Sequence, residues 1–141
     1  MNENQNLAAY TDGASKGNPG PAGFGYLIEQ EGVTLEECGE YIGETTNNVA
    51  EYRGFVAVLA RLKQLGATDI SIYSDSELAV RQINKQYRVK NEGLKPLYEE
   101  VMHLLAAFHS YRVMHIPREK NSRADRLANR AIDEHRKINR A

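Results

Sequence analysis

Cysteine occurs once in this 141-residue chain, at Cys38, so no internal disulfide can form. A lone thiol fits a reducing, cytoplasmic setting, with Cys38 serving as a small buried or half-buried hydrophobe. Long apolar runs are missing: nothing approaches the roughly 20 residues that span a bilayer, and no membrane association is expected. The opening MNENQNLAAY carries no basic segment and no apolar stretch, so no secretory signal is expected either. Charge of one sign is also lacking. A net of −1 does not mark the chain as a binder of polyanions by bulk charge. Repeats, low-complexity tracts and composition breaks are absent, so residues 1–141 read as a single, monomeric domain with frayed tails at 1–6 and 136–141.

The distribution of charge says more than its sum. Residues 1–60 hold nine Asp/Glu against two Lys/Arg, a local net of −7. Residues 118–141 hold eight Lys/Arg against four Asp/Glu, a local net of +4. Solvated helix faces would account for this, and so would metal-binding carboxylates beside a phosphate-binding flank.

The spacing of apolar residues predicts the elements. LAAYTD (7–12), AGFGYLIE (22–29) and VTLEECGEYI (33–42) read as an antiparallel meander, with a turn-rich loop over 13–21. The period then changes to helical from about Asn47 to Leu65, with Gly66 placed to close the helix. ISIYSD (70–75) is a strand, and Ser74-x-x-Glu77 has the form of a capping box opening a helix to about Asn84. Leu97, Val101, Leu104, Leu105 and Phe108 recur at helical spacing behind Pro96. YRVMHI (111–116) is the last strand, and Ser122-x-x-Asp125 opens a helix to about His135. The order β-β-β-α-β-α-α-β-α describes an α/β fold, a mixed sheet covered by helices.

Four carboxylates stand out. Asp12 and Asp75 fall at the C-terminal ends of two strands, where open α/β sheets bind ligands, although turns and caps also favour Asp there. Glu51 shares its helix side with Phe55, Val58, Leu62 and Leu65, which must face the sheet. A carboxylate on that side needs compensation. Arg53, Lys63 or the helix dipole would provide it, and so would a metal ion. Asp125 leans inward with Ala128 and Ile132, or simply caps its helix. Four acids from four elements gathered at one rim would repel each other without cations. Oxygen-only ligands favour Mg²⁺ or Mn²⁺ over zinc, and a metal pair about 3.5–4 Å apart suits phosphodiester hydrolysis.

Four segments, YTDGASKGNPGPAGFG (10–25), TTNNVAEYRG (45–54), IYSDSELAVRQI (72–83) and NSRADRLANRAI (121–132), carry a resemblance to ribonuclease H, type 1, across essentially the whole chain. The resemblance implies a five-stranded mixed sheet, the second strand antiparallel to its neighbours, and four metal-binding catalytic acids at Asp12, Glu51, Asp75 and Asp125. It implies endonucleolytic hydrolysis of the RNA strand of RNA–DNA hybrids with two metal ions, leaving 5′-phosphate and 3′-hydroxyl ends. Asn18 and Asn48 match positions that contact the hybrid, with Asn47 beside the second. Thr46 matches a contact to a DNA-strand phosphate. Gly13, Gly17 and Gly20 either let the backbone approach RNA or make the turn.

Two departures bear on function. The family's Trp- and Lys-rich protrusion is missing, since the chain has no Trp and only NKQYRVKNEGLKP lies between Ile83 and Leu97. Lys85, Arg88 and Lys90 form at most a reduced basic patch. The family's loop His before the final Asp is also missing from IPREKNSRAD; Arg118 is its expected substitute, acting through charge or product release, and His115 reads as a satisfied structural residue. Two alternatives stay open: a noncatalytic hybrid- or RNA-binding relative, and a broader nuclease that also cuts duplex RNA.

Overall fold

Period-two alternation at the start of the chain becomes a β-meander in the computed structural model, which describes residues 6–140. β1 (Asn6–Ser15), β2 (Gly20–Gln30) and β3 (Val33–Thr45) pair antiparallel. β1 and β2 run further than expected, pairing as far as Ser15 with Ala22, so the loop shrinks to a tight hairpin. β4 (Asp69–Ser74) joins β1 in parallel, and β5 (Ser110–His115) joins β4 in parallel. The sheet is mixed and five-stranded, in the order β3-β2-β1-β4-β5.

The two faces are sorted by residue size. Phe24, Tyr26 and Ile28 of β2 point to the side taken by α1 (Asn47–Gln64), whose Phe55, Val58, Leu59 and Leu62 are fully buried. Burying each such side chain contributes roughly 1.5–3 kcal/mol, which holds α1 on the sheet. α2 (Glu77–Ile83) and α3 (Lys95–Leu105) complete that layer with Val80, Ile83, Val101 and Leu105. Phe108, expected within the third helix, is buried just beyond its end.

The other face of β2 carries no side chain at Gly23 and Gly25. A Cβ on Gly25 would stand 2.5 Å from the Ala124 carbonyl oxygen and 2.6 Å from the Ala128 nitrogen of α4 (Ser122–Arg140). Glycine there lets α4 lie directly on the sheet, burying Ala124, Leu127, Ala128 and Ile132.

Several boundaries differ from expectation. Asn6 is already strand, and the tail expected from residue 136 is helix as far as Arg140; residues 1–5 and 141 lie outside the described residues. Helix α2 is capped by Ser76, which accepts from the Ala79 N–H, whereas Ser74 Oγ accepts from the Ser76 N–H at 3.0 Å and shapes the turn. Ser122 is the first residue of α4 rather than its cap; the Asn121 carbonyl accepts the Asp125 N–H at 3.1 Å. In both turns two neighbouring residues are of cap-forming type, Ser74 and Ser76 in one and Asn121 and Ser122 in the other, and the sequence pattern picked the wrong member.

Candidate active site

Parallel pairing of β1 and β4 brings Thr11 opposite Ser74, so the next residues, Asp12 and Asp75, emerge side by side at one rim. Glu51 reaches the same rim from the beginning of α1. The approach depends on Gly13, where a Cβ would stand 2.3 Å from the Ala50 carbonyl carbon and 2.4 Å from the Glu51 nitrogen. The packing of α1 therefore by itself requires glycine at position 13. Carboxylate oxygens of Asp12, Glu51 and Asp75 all lie within 4.8 Å of one another. Asp125, in the first turn of α4, lies outside that tight trio but lines the same cleft, a hollow of about 550 Å³.

One backbone donor serves two acids: the Gly13 N–H donates to Glu51 Oε1 at 2.8 Å and to Asp12 Oδ1 at 3.0 Å. Asp12 is 5% exposed and Glu51 8%, and Glu51 Oε2 is buried with no partner among the described residues. No ion pair among those residues reaches Glu51, so neither Arg53 nor Lys63 provides its compensation. Burial raises Asp12 far above the usual carboxylate range, and the Glu51 charge raises it further. Glu51 is also raised by burial, against hydrogen bonds from Asp12 and Gly13 that favour its charge. Asp75 is raised by burial, opposed by the Asn121 amide and the Arg118 charge. Carboxylates that resist ionising together, with a buried oxygen left over and only oxygen donors around, fit a divalent hard cation.

Asparagines that sequence reasoning did not single out organise this rim. Asn121 is 1% exposed and its amide donates to the Thr11 carbonyl at 2.9 Å, tying the entry of α4 to the end of β1 beside Asp75. The Asn129 amide donates to Asp125 Oδ1 at 3.0 Å. The second contact was foreshadowed by i,i+4 spacing on one helix; the first links segments that nothing local connects.

Of the expected substrate residues, Gly13, Asn47, Asn48 and Arg118 line the acid cleft. Arg118 sits in a single 3₁₀ turn, Arg118–Lys120, just before α4. Asn47 Oδ1 accepts from the Ser15 N–H at 2.9 Å, and Asn18 Oδ1 accepts from the Asn47 N–H at 3.1 Å, so both brace the hairpin against α1. Thr46 caps α1 through the Val49 N–H at 3.2 Å. Lys85 and Arg88 line a different hollow with Tyr87, Val89, Lys95, Tyr98 and Glu99, and exposed Lys90 follows it; the basic patch stands apart from the acids. His115, expected to be a satisfied structural residue, is exposed at the end of β5 opposite Ser74.

A mixed sheet of this order, with acids gathered where its parallel strands end, defines a reverse transcriptase-like fold, and the model of that description matches residues 10–131. The chain is 36% identical to ribonuclease HI of Pseudomonas syringae pv. tomato, over 94% of this chain and 95% of that protein. It is 43% identical to the bifunctional protein Rv2228c of Mycobacterium tuberculosis over 86% of this chain, but spans only 34% of that relative's length. The solved structure of LC11-RNase H1 in complex with RNA/DNA hybrid superposes with a TM-score of 0.87 at 44% identity, covering 92% of this chain and 98% of that one. The chain belongs to the type 1 ribonuclease H family.

Proposed function

We propose that this chain is a metal-dependent endonuclease that hydrolyses the RNA strand of RNA–DNA hybrids, leaving 5′-phosphate and 3′-hydroxyl ends. One observation carries the reading. Glu51 is buried with a partnerless oxygen, and its nearest charged neighbours are two more carboxylates rather than a cation. Loss of hydration on that scale leaves the carboxyl either protonated or matched by a counter-charge, and a bound cation supplies that charge to all the acids at once. Asp12, Glu51, Asp75 and Asp125 would hold two Mg²⁺ or Mn²⁺ ions. Bound there, divalent ions supply Lewis acidity for phosphodiester hydrolysis.

The chain's own residues supply position and charge. The Gly13 N–H donates to both Asp12 and Glu51 and so fixes these two carboxylates relative to each other. Arg118, which lines the cleft and whose charge acts on Asp75, would attract the phosphate and favour departure of the cleaved strand. Arginine stays protonated, so it moves no proton at neutral pH. Asn48, exposed at the lip of the cleft, would read a 2′-hydroxyl, because an amide both donates and accepts. Asn18, Asn47 and Thr46 would contact the hybrid from the hairpin and the helix cap, and Lys85, Arg88 and Lys90 would add distant phosphate contacts. The relative solved with a hybrid supports this substrate, and the lone cysteine supports a cytoplasmic site of action.

Labelled RNA–DNA hybrid, duplex RNA and duplex DNA, each incubated with protein and Mg²⁺ or Mn²⁺, test the reading. Internal cuts in the RNA of the hybrid, with the DNA intact, are expected. Absence of cleavage with both metals across neutral and alkaline pH would refute it.

A further inference from the structure

Lys16 and Asn129 come from distant segments and meet over the acid cleft, which both line. Lys16 directly follows β1, and its backbone N–H donates to the Pro21 carbonyl at 2.8 Å, so its Cα is held by the hairpin. Its ammonium donates to Asn129 Oδ1 at 2.6 Å. The Asn129 amide donates in turn to the Asp125 carbonyl at 2.9 Å and to Asp125 Oδ1 at 3.0 Å. One asparagine thus uses its donor end on an acid of the site and its acceptor end on a cation at the lip.

The choice of partner matters. Lys16 is anchored to a neutral amide, although carboxylates line the same cleft. An ion pair would cancel the charge; an amide oxygen orients the ammonium and leaves its charge available. An oriented but uncancelled cation is what an incoming phosphate needs, and lysine serves that role as a point charge. At the other end, the bond to the Asp125 carbonyl seats the Asn129 amide, and the bond to Oδ1 orients the Asp125 carboxylate, which lies outside the tight trio of Asp12, Glu51 and Asp75.

We propose that Lys16 is a phosphate-binding residue of the cleft, parked there by Asn129, and that Asn129 is a positioning residue for Asp125. This rests on the reading of the cleft as a hybrid-binding metal site. It assigns a cation beside the acids, where the basic segment at Lys85 and Arg88 does not reach.

Two measurements on the whole chain decide it. In the Asp12→Asn background with Mg²⁺, where the hybrid is not consumed, hybrid affinity is measured by fluorescence anisotropy across a salt series. Lys16→Met should lower affinity and reduce the slope of log affinity against log salt by about 1, one phosphate contact. Lys63→Met, near the far end of α1, should leave the slope unchanged. In the wild-type background, calorimetric titration with Mn²⁺ should show about tenfold weaker binding for Asn129→Ala, as for loss of a partner that orients a metal ligand. Lys16→Met should bind Mn²⁺ at least as tightly as wild type. An unchanged salt slope in Lys16→Met, or unchanged Mn²⁺ affinity in Asn129→Ala, overturns the proposal. If instead the Asp12→Asn protein binds no hybrid and wild type cuts none, the nuclease reading is what fails, and the Mn²⁺ titration still decides the role of Asn129.

Discussion

Burial and neighbouring carboxylates both work against a charge on Asp12. It is buried, it shares a backbone donor with Glu51, and Asp75 stands beside it. Replacing it by asparagine preserves shape and removes a buried carboxyl that, without metal, must take up a proton or repel its neighbours. Asp12→Asn should therefore fold normally and, without metal near neutral pH, melt higher than wild type by about 3 °C, the shift produced by roughly 1 kcal/mol in a domain of this size. Its turnover should fall by at least on the order of a thousandfold, as when one member of a catalytic unit is lost. Thermal denaturation in chelator and a hybrid-cleavage assay check both. Asp12→Asn that melts lower, or that keeps near-full activity, would show that the acids do not act as one metal-binding set.

At the scale of elements, the site exists because helices come unusually close to the sheet. Gly25→Ala would drive a methyl into the Ala124 carbonyl and the Ala128 nitrogen, and α4 would have to lift. Overpacking of this kind costs about 1–3 kcal/mol, seen as a lower urea midpoint. Because α4 carries Asp125, cleavage should drop at temperatures where the variant is still fully folded; unchanged activity there would uncouple α4 docking from the site. Thr46 allows a cleaner separation. Its Oγ1 caps α1, so Thr46→Ala should cost about 1 kcal/mol by denaturant unfolding, while Thr46→Ser keeps the cap. Equal loss in both would remove capping as the reason for Thr46. Elements of this kind were readable from the sequence wherever one period dominates: the alternation of Phe24, Tyr26 and Ile28, or the helical stripe of Phe55, Val58 and Leu62, leaves one face to bury. That stripe also turned Glu51 inward. What stayed hidden depends on contacts between segments. Nothing local tells that Asn121 reaches the Thr11 carbonyl, that Lys16 meets Asn129, or that α1 packs directly on Gly13.

For the whole molecule, the acid cluster links stability to both protons and metal. Asp12, Glu51 and Asp75 are all raised by burial, so the folded chain holds their protons more tightly than the unfolded one does. A group raised in this way contributes stability that is fully present below its unfolded pKa, 3.8 for Asp and 4.5 for Glu, and lost as the pH rises through its folded value. The metal-free stability gap between Asp12→Asn and wild type should accordingly be small near pH 4 and widen towards pH 8. Saturating Mg²⁺ acts in the opposite sense, because it binds the ionised acids of the folded chain: about 2.7 kcal/mol of stabilisation is expected at a hundred times Kd. The order of melting temperatures should then invert at pH 8, wild type rising above Asp12→Asn, which has lost a ligand. Scans of both proteins at several pH values, in chelator and in Mg²⁺, read all of this at once. A gap that stays constant with pH, or a wild type indifferent to Mg²⁺, would mean that the buried carboxylates are compensated within the chain, and the basis for a metal site would be gone.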